Sequence, residues 1–197
     1  MLKFNTTRKE NNMAKTARQF SRKEIYDIAI WYATSYHEIS AGIIADEYMI
    51  SEATCRKLLD KAVILNVVND KIVELMAAKA GYNSQVKAGT GGKKCSERHY
   101  DMLKAKRASY LPSKKEIIAL AKGYAKSAQT KEQYSQDNYI TKQLLDRIIY
   151  KAIIENLVND KTVEELKIKS VKRYGFDNVQ KFWKRMLYYR EENKKRG

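Results

Sequence analysis

The residue types able to do covalent or metal chemistry are few in this chain, and they stand apart. There are two histidines, His37 and His99, and two cysteines, Cys55 and Cys95. Cys95 and His99 are spaced to share one helix face, but a zinc site takes about four ligands and no paired Cys or His lies near them. The carboxylates are scattered on helix faces among lysines, the pattern of solvated ion pairs and not of a metal-dependent nuclease. Gly89-Thr90-Gly91-Gly92-Lys93-Lys94 invites a phosphate-loop reading, yet its glycine spacing is wrong, no hydroxyl follows the lysine and no strand precedes it. No enzyme, cofactor or metal is expected. What the chain has in quantity is cationic hydrogen-bonding chemistry: 39 Lys and Arg against 23 Asp and Glu, a net charge of +16. Residues 1–110 hold 19 against 12 and residues 111–197 hold 20 against 11, so the charge is not a basic tail on a neutral body. Both halves are suited to a polyanion, with nucleic acid the first candidate.

The elements that must carry this charge are written twice. Lys61–Ala80, KAVILNVVNDKIVELMAAKA, returns ninety residues later as Lys151–Ser170, KAIIENLVNDKTVEELKIKS, with eleven of twenty positions identical; unrelated windows would share about one. Upstream, Ser21-Arg22-Lys23-Glu24 and Ser113-Lys114-Lys115-Glu116 are matching S-x-x-E capping boxes, 92 residues apart, each opening an apolar-periodic run. The first such run, to about Thr34, places Ile25, Ile28, Ala29 and Tyr32 on one face. With one proline and helix-length periods, an all-α fold of two tandem units is expected, with no strand pair to form a wing. In the shared N-x-V-N-D-K block, Asn66 and Asn156 are expected to stop one helix in left-handed geometry. Asp70 and Asp160 are expected to cap the next.

Between the boxes and the repeated block, IADEYMISEATCRKLL resembles the helix-turn-helix superfamily of DNA-binding modules. Ala45 stands at the helix contact, Tyr48-Met49-Ile50 at the turn, Ser51 at the cap, and Cys55 and Leu58 face inward. The family usually has glycine in the turn, where this chain has Met49, so a more open turn is expected. The second half matches more faintly. It has a Thr130-x-x-Gln133 box, Ser135 for Ala45, Asn138-Tyr139-Ile140 at the turn with Asn138 suited to the left-handed position, Thr141 at the cap, and Leu145 and Ile148 inward. The resemblance implies a sequence-specific double-stranded DNA-binding protein, a regulator of phage or plasmid type, placing one recognition helix per unit in the major groove. It assigns base contact to Glu52, Ala53 and Arg56, and to Lys142, Gln143 and Arg147. Phosphate contact falls to Ser51, Lys57, Lys61, Thr141 and Lys151, with Lys87, Lys93 and Lys94 reaching from the glycine-rich segment. The alternative is that the same scaffold docks a protein, as a phage inhibitor of a host nucleoprotein (anti-CRISPR-like) or a packaging or partition adaptor.

The boundaries follow from composition. Residues 1–19 lack any period and are expected to form a flexible basic arm; residues 20–110 and 111–197 form the two units, separated before Pro112. Gly81–Lys94, with four glycines, is expected to be a mobile loop, followed by a short helix over Ser96–Arg107. The closing helix, Asp177–Asn193, carries Val179, Phe182, Trp183, Met186 and Leu187 on one wide apolar face, a core stripe or a homodimer contact. No apolar run reaches the ~18 residues of a membrane span, no signal peptide is evident, and two cysteines without framework spacing suit a reducing, cytoplasmic setting.

Overall fold

The computed structural model describes residues 18–88, 90–174 and 176–196. Among them the regular structure is all α-helix: α1 (Arg22–Thr34), α2 (Ala41–Glu47), α3 (Glu52–Ile64), α4 (Asp70–Ala88), α5 (Thr90–Ser109), α6 (Lys114–Lys126), α7 (Lys131–Asp137), α8 (Lys142–Ile154), α9 (Asp160–Tyr174) and α10 (Phe176–Arg196). Helices α1–α5 close around one hydrophobic core and α6–α10 around another. The basic arm expected over residues 1–19 lies outside the described residues as far as residue 17.

Local chemistry sets the helix starts. The Ser21–Glu24 and Thr130–Gln133 boxes are closed in both directions, satisfying two end groups each. Ser113 caps α6 through the Glu116 amide, but the Glu116 carboxylate does not return to the cap; it receives Arg22 at 2.7 Å from the other half. The caps of α4 and α9 differ from expectation by one residue. Asn69 Oδ1 accepts from the Ile72 amide and Asn159 Oδ1 from the Thr162 amide, each at 3.0 Å, which frees Asp70 and Asp160 for other partners.

Four turns end helices in the same way. At Met49, Asn66, Tyr139 and Asn156 the backbone is left-handed, with φ between 50° and 56°. The next residue (Ile50, Val67, Ile140 or Leu157) sends its amide back to Ala45, Ala62, Ser135 or Ala152. This is the Schellman arrangement, with an apolar residue folded over the helix end. The two asparagines stand where expected. The turn at Met49 is not opened by the absence of glycine, because Met49 itself takes φ 53°. In the second half the left-handed residue is Tyr139, not Asn138, which is the helix C-cap at φ −97°.

Residues Asp70 and Asp160 each hold a buried arginine. Arg107 at the end of α5 donates to Asn66 Oδ1 (3.0 Å), Asp70 Oδ1 (2.8 Å) and the Val68 carbonyl (2.9 Å). Near the end of α10, Arg190 donates to the Ile153 carbonyl (3.0 Å), the Val158 carbonyl (2.8 Å) and Asp160 Oδ1 (2.8 Å). Burial depresses the Arg107 pKa and Asp70 opposes that shift. In return, Asn66 and Asn156 donate their amides to the carbonyls of Arg107 and Arg190. The repeated block is therefore a socket that ties the last helix of each half to its centre. A second pair of cations does similar work. Lys79 caps the end of α1 through Ser35 and lies over Tyr32, and Lys169 caps the end of α6 through Tyr124 and Ser127 and lies over Tyr124.

In the segment expected to be a mobile loop, 81–94, residues 81–88 belong to α4 and 90–94 to α5, two helices that pack closely along each other. A Cβ on Gly92 would stand 2.5 Å from the Ser84 carbonyl oxygen, and the Ser84 and Ser96 hydroxyls meet at 2.9 Å. These small residues serve close helix contact, not mobility. On α10 the expected single apolar face is divided: Trp183 and Met186 are buried in the core, Leu187 is partly buried against it, and Phe182 faces outward. The Val179 side chain lies outside the described residues. No described helix is long and apolar enough to cross a membrane.

Candidate nucleic-acid interface

The start of α3 is presented outward by its flanking turn. Ser51 accepts from the Thr54 amide at 3.1 Å, while Cys55, Leu58 and Leu59 are buried beneath. Burial pushes the Cys55 thiol up to about 11, so it is a packing group and not a nucleophile. The opposite face exposes Ser51, Glu52, Ala53, Arg56, Lys57 and Lys61. Arg56 Nε donates to Glu52 at 3.0 Å in an exposed i,i+4 pair. Such pairs are worth about 0.3–0.5 kcal/mol, little enough for an incoming acceptor to displace Glu52. Lys57 and Lys61 make no ion pair among the described residues.

Helix α8 is placed differently. Its cap, Thr141, is buried: the Thr141 amide donates to the Asn66 carbonyl at 2.9 Å and its hydroxyl lies 3.3 Å from Asn66 Oδ1. Arg147 is half-buried and donates to the carbonyls of Arg107 and Ala108, the open end of α5. Tyr139 packs against Tyr26 with the ring planes tilted and the centroids 5.4 Å apart. These contacts, with Arg22–Glu116, join the two halves through turns and helix ends. The expectations of base contact for Arg147 and phosphate contact for Thr141 are therefore corrected; both are spent on holding the halves together. Of the other residues singled out on α8, Gln143 is exposed, Lys142 pairs with Glu132 at 2.9 Å and Lys151 with Glu155 at 2.9 Å. Lys94 is exposed on α5, and the side chains of Lys87 and Lys93 lie outside the described residues.

Sequence reasoning missed Arg107 and Arg190, although each ties the last helix to the centre of its own half. The α3/α8 and α4/α9 positions correspond at an offset of 90, but these arginines correspond at 83, so aligning the halves by the strong repeat leaves them unmatched. A cleft of about 1060 Å³ between α1, α3, α4 and α5 was also not foreseen. On its wall His99 Nε2 meets Asp60 at 2.9 Å and His37 lies against Tyr82, so His99, considered above with Cys95, has a carboxylate partner. Comparison of the chain with protein-family models, curated proteins and solved structures finds no match.

Proposed function

We propose that this chain is a sequence-specific double-stranded DNA-binding protein, a regulator of phage or mobile-element type, that reads the duplex through α3. One observation carries the reading: α3 follows a tight turn, is capped by Ser51, and turns a basic face outward with Lys57 and Lys61 unpaired among the described residues. An α-helix fits the B-DNA major groove with its first turns nearest the base edges. Glu52, Ala53 and Arg56 are then the base-facing residues, and Ser51, Lys57 and Lys61 the backbone-facing ones. On α8 only Lys142, Gln143 and Lys151 are left for such contact, so the halves contribute unequally. Titration of a duplex at two salt concentrations tests this. Neutralising phosphates at Lys57 and Lys61 alone makes log affinity fall by about 1.8 per log unit of salt; a flat response removes the proposal.

The use of Thr141 and Arg147 favours a second reading, in which the corresponding face of α3 docks a protein, as in an adaptor or an inhibitor of a host nucleoprotein. Salt-insensitive binding to a partner protein without duplex affinity would select it.

A further inference from the structure

The contact between the halves is heterologous: the surface offered by the second half is unlike the surface that receives it. The second half contributes a knob made of Tyr139, Thr141, Arg147 and Glu116. The first contributes a socket made of Tyr26, Asn66, Arg22 and the α5 end at Arg107–Ala108. Because each half has the same sequence of helices, the first half also has a knob and the second also has a socket, and neither makes the corresponding contact among the described residues.

Their chemistry corresponds. On the unused knob, Met49 stands for Tyr139, Ser51 for Thr141, Lys57 for Arg147 and Glu24 for Glu116. On the unused socket, Ile118 stands for Tyr26, Asn156 for Asn66 and Lys114 for Arg22, while Glu191 follows Arg190 as Ala108 follows Arg107. Two pairings carry over directly, an apolar side chain on an apolar one and a capping hydroxyl on asparagine. Lys114 would share the Glu24 carboxylate with Ser21 and Arg18, and Lys57 would meet the Glu191 carboxylate on α10, which runs on to Arg196, in place of an open helix end. Met49 is 88% exposed, a large apolar side chain left uncovered by the described residues. Asn156 Oδ1, the counterpart of the atom that meets the Thr141 hydroxyl, is buried with no hydrogen-bond partner among the described residues, as is Arg190 Nε, the counterpart of the Arg107 donor to Asn66. An arriving Ser51 hydroxyl would offer it a donor, as Thr141 does to Asn66.

We propose that the unused knob of one chain, Met49-Ser51-Lys57, docks on the unused socket of a second copy, Lys114-Ile118-Asn156, so that chains associate head to tail. A heterologous contact of this kind grows into an open array or a ring and does not stop at a symmetric pair. The internal contact forms under the mM effective concentration of a short linker, and no helix packs lengthwise across it, so the intermolecular contact is expected in the range of about 0.1–1 mM. This inference does not rest on nucleic-acid binding. Occupation of Ser51 and Lys57 by another copy would nevertheless compete with a duplex for α3.

Sedimentation equilibrium of the full chain up to about 1 mM tests it. The wild type is expected to show an average mass that climbs above 22.9 kDa with no plateau at two chains. Met49→Asp, which spoils the knob, and Lys114→Glu, which spoils the socket, are each expected to remain at one chain, with unchanged helical circular dichroism. Mixed one to one, they retain one good knob and one good socket, and the mass is expected to settle at two chains. A wild type that stays single at ~1 mM, a wild type that plateaus at a dimer, or variants that associate as the wild type does would each overturn the proposal.

Discussion

Arginine 107 is expected to be among the most costly side chains to remove, although it lies at a helix end. Its guanidinium makes three charge-assisted bonds. Asp70 is 63% exposed and recovers water when the arginine goes, so that bond contributes about 0–1 kcal/mol. Asn66 Oδ1 keeps the Thr141 hydroxyl nearby, and losing one of two donors there costs about 1 kcal/mol. The Val68 carbonyl is left buried without that donor, about 1–3 kcal/mol. Part of this is returned, because a buried cation no longer has to be desolvated. Arg107→Ala is therefore expected to destabilise by about 3 kcal/mol, roughly 150-fold in the folding equilibrium. Arg190→Ala should fall in the same range, since two backbone carbonyls lose its guanidinium. A lysine at either position keeps the charge but presents no planar fork, and is expected to rescue less than half of the loss. Urea unfolding followed by circular dichroism, with the exposed Arg56→Ala as a control expected within 0.5 kcal/mol, makes the comparison. Values for Arg107→Ala and Arg190→Ala indistinguishable from that control would refute the socket account.

Three other expectations are open to test. Met49→Gly relieves a left-handed methionine that touches little and should raise stability by about 0.5–1 kcal/mol, whereas Tyr139→Gly should lower it because Tyr139 packs against Tyr26; the same sign for both in urea unfolding would contradict this. The hydrogen bond from Arg190, then the charge of Lys194, hold the Asp160 carboxyl below its ordinary value near 3.8. Its stabilisation is complete above that value and disappears as pH falls through the lower folded one, so Asp160→Asn should flatten the acid-side loss in a pH series of urea midpoints. Arg147→Ala should cost about 1 kcal/mol by freeing the α5 carbonyls and leave base preference in a duplex-selection assay unchanged; a relaxed preference would return Arg147 to the reading surface.

What was legible in the sequence was local. The Ser21 and Thr130 boxes, the Ser51 cap and the left-handed Asn66 and Asn156 depend on residues a few positions apart, and short-range hydrogen bonding decides them. The all-helical class followed from apolar periodicity for the same reason. Glu116 leaves its expected box because Arg22, 94 residues earlier, outcompetes the neighbouring cap for its carboxylate. Aspartate is a frequent cap, which favours Asp70 and Asp160, but asparagine sits one residue earlier and buried arginines claim the carboxylates. Glycines 81–92 looked mobile in a string of letters, since nothing in them announces that Ser84 will press against Gly92. Arg147 had the right type and spacing to read a base. Only the position of the α5 end shows that it is engaged elsewhere.

The central claim, that α3 and not α8 faces the duplex, is tested most directly by the salt dependence of duplex affinity in two paired variants. Lys57→Ala with Lys61→Ala is expected to reduce the slope of log affinity against log salt by about 1.8, while Lys142→Ala with Lys151→Ala changes it by less than half as much. An unchanged slope in the α3 pair, or a larger change in the α8 pair, would contradict the account.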